Sequence, residues 1–96
     1  MKTSYVYIIT NKNNTVLYTG VTSDIVKRIY QHKNKVYAGF SARYNCNKLV
    51  YYKVFYDIRL AIAYEKKIKA GNRKNKERLI NDMNPEWKDL AGNWYS

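Results

Sequence analysis

Tyr5-Val6-Tyr7-Ile8-Ile9-Thr10, Asn11-Lys12-Asn13-Asn14 and Thr15-Val16-Leu17-Tyr18-Thr19-Gly20 follow one another without interruption near the start of the chain. The first run is β-branched and aromatic, which is strand chemistry. The Asn-rich tetrapeptide reads as a turn, because Asn side chains bond back to nearby backbone and tolerate the left-handed conformation. The third run resumes strand chemistry and stops at Gly20, so the whole is a β-hairpin. Tyr7 and Tyr18 lie on its two strands with ten residues between them. At that spacing cross-strand pairing can bring their rings together.

Working outward, Thr22-Ser23-Asp24 supplies N-cap side chains and an acid for a helix from Ile25 to about Lys33. Ile25, Arg28, Ile29 and His32 share one stripe of it. Val36 to Lys48 is a loop by composition, with Gly39, Ser41, Asn45 and Asn47. Leu49-Val50-Tyr51-Tyr52-Lys53-Val54-Phe55-Tyr56 is a third strand. Asp57 caps a second helix from Ile58 to about Ala70, and Gly71 follows as a C′ glycine would. A shorter helix is expected over Lys74 to Asp82, Pro85 marks a stop, and Trp87, Leu90 and Trp94 are expected to pack the tail back on the body. With no linker, repeat or low-complexity tract, residues 1–96 read as one α+β domain. Its order is β-β-α-β-α-α, a three-stranded antiparallel sheet flanked by helices.

The one cysteine, Cys46, excludes an intrachain disulfide and a four-thiolate metal cluster. No apolar run approaches the roughly 18 residues of a membrane helix, and the start lacks the apolar core of a secretory signal. A soluble, cytoplasmic protein without a membrane partner is the expectation. Eighteen Lys+Arg against seven Asp+Glu give a net charge of +11. Between Asp24 and Asp57 there is no acid at all, and a second basic block runs from Lys66 to Arg78, opposed only by Glu77. An AT-rich coding sequence would raise the lysine count, but it does not account for the acid-free gap. Such a field implies a polyanionic partner, nucleic acid first. The candidate phosphate contacts are Lys27, Lys33, Lys35, Arg43, Lys66, Lys69, Arg73, Lys74 and Lys76.

Glu65 falls where the apolar stripe of the second helix should continue, among Ile58, Ala61, Ile62 and Ile68. A carboxylate there costs desolvation energy unless it is paired or holds a cation. Arg28 is the partner to weigh for a purely structural ion pair.

These residues together resemble the GIY-YIG nucleases. The tripeptides of that family correspond to Tyr5-Val6-Tyr7 and Tyr18-Thr19-Gly20, its helical Arg to Arg28, its following His to His32 and its metal-binding Glu to Glu65. Tyr5 stands in place of the first Gly and Thr19 in place of the central Ile, while both tyrosines are kept. The tail Asn84-Pro85-Glu86-Trp87-Lys88-Asp89-Leu90 is similar to that of a small stand-alone branch related to the N-terminal nuclease domain of the DNA repair excinuclease. The resemblance implies a metal-dependent DNA endonuclease that cuts one strand per site and reads structure rather than base sequence. Tyr7, Tyr18, Arg28, His32 and Asn84 would be catalytic, and Glu65 would hold one Mg²⁺ or Mn²⁺ ion. Tyr18 and His32 both stand as general base. Specificity would come from DNA shape or a protein partner, with the chain a monomer or weak dimer. RNA is the alternative ligand, and a non-catalytic nucleic-acid-binding module is the alternative function.

Overall fold

β1 (Ser4–Thr10) is the middle strand of a three-stranded sheet ordered β2-β1-β3, with β2 (Leu17–Thr22) and β3 (Lys48–Phe55) both antiparallel to it. The computed structural model describes residues 2–36 and 38–95; Tyr37, which lies within the expected loop, is outside them. Val6, Tyr7, Ile8 and Ile9 are all fully buried, because both faces of the central strand are covered. Alternation along a strand sends Val6 and Ile8 to one face and Tyr7 and Ile9 to the other. On the first face they meet Ala61 and Ile68 of α3 (Ile58–Ala70) and Ile80 of α4 (Arg73–Met83). On the second they meet Ile25 and Ile29 of α1 (Ile25–Lys33), Cys46, and Leu90, Ala91 and Trp94 of the tail. Full burial of each of the larger aliphatic side chains contributes about 1.5–3 kcal/mol, so this strand anchors both layers.

Local chemistry sets the element ends. Asp24 caps α1 by accepting from the Lys27 amide at 3.1 Å, and Asp57 caps α3 by accepting from the Arg59 amide at 2.9 Å. The hairpin loop is longer than the Asn-rich tetrapeptide. Asn11 Oδ1 accepts from the amides of both Thr15 and Val16, so β2 starts at Leu17. Nor does β2 stop at Gly20; it continues to Thr22, which pairs with Tyr5.

The expected loop contains a one-turn helix, α2 (Phe40–Arg43), too short to leave a periodic signature. Gly71 has φ −77° and ψ 167°, extended backbone rather than a left-handed cap, because the chain passes directly to Asn72, the N-cap of α4. Ile58 and Ile62 are not core residues. They line an open cleft of about 690 Å³ with Val21, Thr22 and Arg28.

Pairing between β1 and β3 is interrupted once. Ile8 faces Tyr51 and Ile9 faces Leu49, leaving Val50 as the extra residue of a bulge. Val50 and Tyr51 therefore both join the α3/α4 cluster. Asn84, the C-cap of α4, donates to the Val50 carbonyl at 3.2 Å and to the Lys88 carbonyl at 2.7 Å, and accepts from the Lys88 amide at 3.1 Å. The tail then crosses to the other layer. Asp89 accepts from the Leu49 amide and is paired with Lys33, while the Leu90 amide donates to the Leu49 carbonyl at 2.8 Å.

Candidate functional site

The hairpin register puts Tyr7 opposite Gly20 and Tyr18 opposite Ile9, so the two tyrosines sit on the same face, one diagonal step apart. That face is the one covered by α1. The His32 ring lies 5.6 Å, centroid to centroid, from both Tyr7 and Tyr18, edge-on to each. Tyr7 Oη is 2.8 Å from His32 Nε2, and His32 Nδ1 is 3.0 Å from Ser41 Oγ of α2. Arg28, one turn before His32, brings its positive charge close enough to act on both Tyr7 and His32. The Tyr7 hydroxyl and His32 Nε2 share one hydrogen bond, whose donor is set by the imidazole tautomer.

Titration follows from this enclosure. Burial, then the neighbouring Tyr18, push Tyr7 up to about 12, with Arg28 opposing the rise and Glu65 adding to it. Burial and the Arg28 charge bring His32 down to about 4. Near neutral pH Tyr7 is protonated and His32 is neutral.

Gly20 explains how a whole phenol fits here. A Cβ at position 20 would lie 2.4 Å from Tyr7 Oη and 2.5 Å from Cζ. The ring therefore lies across the glycine, where no side chain could stand.

Glu65 and Lys69 come from α3. Their side chains form an ion pair of 2.8 Å, Glu65 being 13% exposed, and Lys69 Nζ lies 5.9 Å from the centre of the Tyr18 ring. The carboxylate's partner is thus Lys69, not Arg28. Among the described residues no group of three or more His, Cys, Asp and Glu side chains is placed to hold a metal ion. One carboxylate cannot form a closed protein cage. It does suit a hard cation whose remaining ligands are waters and substrate phosphate, provided that Lys69 yields its place.

Tyr7, Tyr18, Arg28, His32 and Glu65 are therefore brought into one neighbourhood. Asn84 is not joined to them: its three hydrogen bonds are used at the Val50 bulge and in the tail. Two of the basic candidates are also committed to the fold. Lys33 pairs with Asp89 and donates to the Asn47 carbonyl, and Arg73 pairs with Glu77 and donates to the carbonyls of Asn14 and Thr15. Lys76 donates to the Gly71 carbonyl. Lys27, Lys35, Arg43, Lys66 and Lys74 are exposed. Ser41 was not foreseeable, since a serine in a loop carries no signal of a histidine partner.

A model of the GIY-YIG catalytic domain matches residues 3–78. The chain is 35% identical over 82 residues to a UPF0213 protein of Staphylococcus saprophyticus, the match covering 85% of this chain and 99% of that one. It is 39% identical over 77 residues to a UPF0213 protein of Clostridium perfringens, covering 80% and 82%. The solution NMR structure of a UPF0213 protein from Bacillus halodurans superposes with a TM-score of 0.58 at 28% identity, over 91% of this chain and 92% of that one.

Proposed function

Because this chain belongs to the GIY-YIG family, we propose that it hydrolyses phosphodiester bonds in DNA, one strand per site. The observation that carries the reading is the Tyr7 hydroxyl bonded to His32 Nε2 within the field of the Arg28 charge, with the Tyr18 ring on the same imidazole. Phosphodiester hydrolysis needs a positioned water and stabilisation of charge on the phosphate. Arg28 supplies fixed charge and a planar set of donors toward phosphate oxygens. Tyr7, protonated near neutrality, is a donor rather than a base. His32, with both ring nitrogens engaged, orients Tyr7. The Tyr18 hydroxyl makes no hydrogen bond among the described residues, and to it we assign the positioning and deprotonation of the attacking water.

Glu65 is the residue that would hold one Mg²⁺ or Mn²⁺ ion, whose chemistry when bound is Lewis-acid stabilisation of the phosphate and the leaving oxygen. DNA would be gripped through phosphates by the exposed lysines and recognised by shape rather than base sequence.

The test is nicking of supercoiled plasmid and branched DNA with Mg²⁺, with Mn²⁺ and with EDTA. Metal-dependent conversion to the nicked circle is expected, lost in Glu65→Gln while DNA binding is kept or tightened. A second reading, a binding module without catalysis, is favoured by one observation: Lys69 already neutralises the carboxylate that a cation would need. Protein that binds DNA steeply with salt yet never cuts under either metal would establish that reading instead.

A further inference from the structure

α2 carries two features that meet at the candidate site. On one side Ser41 reaches His32 Nδ1 at 3.0 Å. On the other, Phe40 lies against the Tyr18 ring, centroids 6.2 Å apart and planes 25° from parallel, and Tyr44, just past the helix, packs on Phe40 at 4.7 Å. Phe40 is nevertheless 50% exposed and Tyr44 42%. An aromatic cluster continuous with the Tyr18 ring therefore opens to solvent on its outer side. Arg43 adds a guanidinium 5.8 Å from the centre of the Tyr44 ring. The whole segment lies in the acid-free stretch between Asp24 and Asp57.

Burial alone does not account for this arrangement, since an exposed phenylalanine gains little from the core. Aromatic rings beside cationic side chains form a sequence-tolerant surface for bases, because every base presents a π-face while the cation meets the backbone. A base within a duplex has both faces occupied by its neighbours and cannot use such a surface.

We propose that α2 is a stacking platform for an unpaired base flanking the phosphate that the site engages, so that the preferred ligand is DNA with a bulge, flap or single-stranded junction. This rests on the nucleic-acid reading above and narrows it. Phe40 and Tyr44 supply the rings, Arg43 the adjacent backbone contact, and Ser41 links the platform to the imidazole. Occupancy of the platform thereby fixes the helix that orients His32.

Binding in EDTA, where a metal-dependent enzyme cannot cut, provides the test. Two oligonucleotides carry one 2-aminopurine each, either in a single-base bulge or within a continuous duplex, and affinity and fluorescence are read for wild type, Phe40→Leu and Tyr44→Leu. Wild type should quench the bulged base and bind that DNA more tightly than the duplex. Phe40→Leu should weaken bulge binding about tenfold, toward the lower end of the range for one base–aromatic stack because leucine keeps part of the apolar contact, and leave duplex affinity unchanged. Tyr44→Leu should shift it in the same direction by less. Equal losses on both DNAs, or none on either, overturn the platform. Bulge preference in a protein that never nicks would leave the platform standing and remove the nuclease. Nicking with no bulge preference would do the reverse.

Discussion

Replacing Gly20 by alanine tests whether the glycine of the second tripeptide is present for space. The added Cβ would sit 2.4 Å from Tyr7 Oη, 2.5 Å from Cζ and 2.9 Å from Cε1, against a comfortable separation of about 3.5 Å. Backbone strain does not enter, because Gly39 is the one described glycine with a positive φ. Relief requires the ring to retreat by about 1 Å, yet Tyr7 is fully buried and its hydroxyl is bonded to His32 Nε2 at 2.8 Å. Overpacking costs about 1–3 kcal/mol, and loss of the hydrogen bond about 1 more. At roughly 4–8 °C per kcal/mol for a domain of this size, Tm should fall by about 10–25 °C, measured by circular dichroism. Tyr7→Phe should not rescue it, since Cζ still collides. Tyr7→Leu vacates the ring position, so Gly20→Ala added to Tyr7→Leu should cost almost nothing further. A Gly20→Ala protein melting within about 3 °C of wild type, under 1 kcal/mol on this scale, would refute the reasoning.

Tyr18→Phe keeps the ring that packs on Phe40 and His32, so Tm should barely move while nicking falls about a hundredfold or more; wild-type cutting would remove Tyr18 from the chemistry. Asn84→Ala leaves the Val50 and Lys88 carbonyls without their amide partner, and should destabilise by about 2–3 kcal/mol in urea titration while nicking per folded molecule is retained; lost activity at full stability would instead make Asn84 catalytic. Thr19 Oγ1 is buried with no hydrogen-bond partner among the described residues, so Thr19→Val should raise Tm, by about 1 kcal/mol of relieved desolvation. His32 falls to about 4 in the folded protein from an ordinary 6.5, so the unfolded chain binds the extra proton between those values. Stability should drop as pH falls from about 6.5 to 4 and level off below. Because the ring is half-buried, the loss discounts to about 1–2 kcal/mol. His32→Gln should flatten that part of the profile in denaturant titrations.

Much of the architecture was legible because it is local. The hairpin, both Asp caps and the helix carrying Arg28 and His32 follow from residues that act within one turn of themselves. The grouping of Tyr7, Tyr18, Arg28 and His32 was also readable, since a hairpin and the helix after it leave little freedom between them. Other features depended on contacts that sequence spacing does not encode. Asn84 reads as a site residue because nothing in the strand Leu49–Tyr56 announces a bulge at Val50, and the bulge is what occupies its amide. Lys69 stands four residues after Glu65, a spacing that favours pairing on a helix, yet the basic residue weighed against Glu65 was Arg28. The apolar stripe of α3 showed which residues share a face. It did not show that the cleft beside Val21 and Thr22 leaves Ile58 and Ile62 uncovered.

The tail's grip on Leu49 has a consequence for association between copies. β3 is the outer strand on its side of the sheet, and unpaired amides and carbonyls along such a margin invite another chain to extend the sheet. At Leu49 both groups are already taken, the amide by the Asp89 carboxylate and the carbonyl by the Leu90 amide. A side chain and one peptide group thus imitate a fourth strand for a single residue, at the point where the bulge has bent the strand. Farther along, Lys53 and Val54 are exposed, and the ammonium of Lys53 lies over the rings of Phe55 and Tyr64. One end of the margin is plugged and the other carries a charge that an incoming strand would have to desolvate. Along the β3 margin, a strand this rich in β-branched and aromatic residues is thereby a poor template for edge-to-edge pairing.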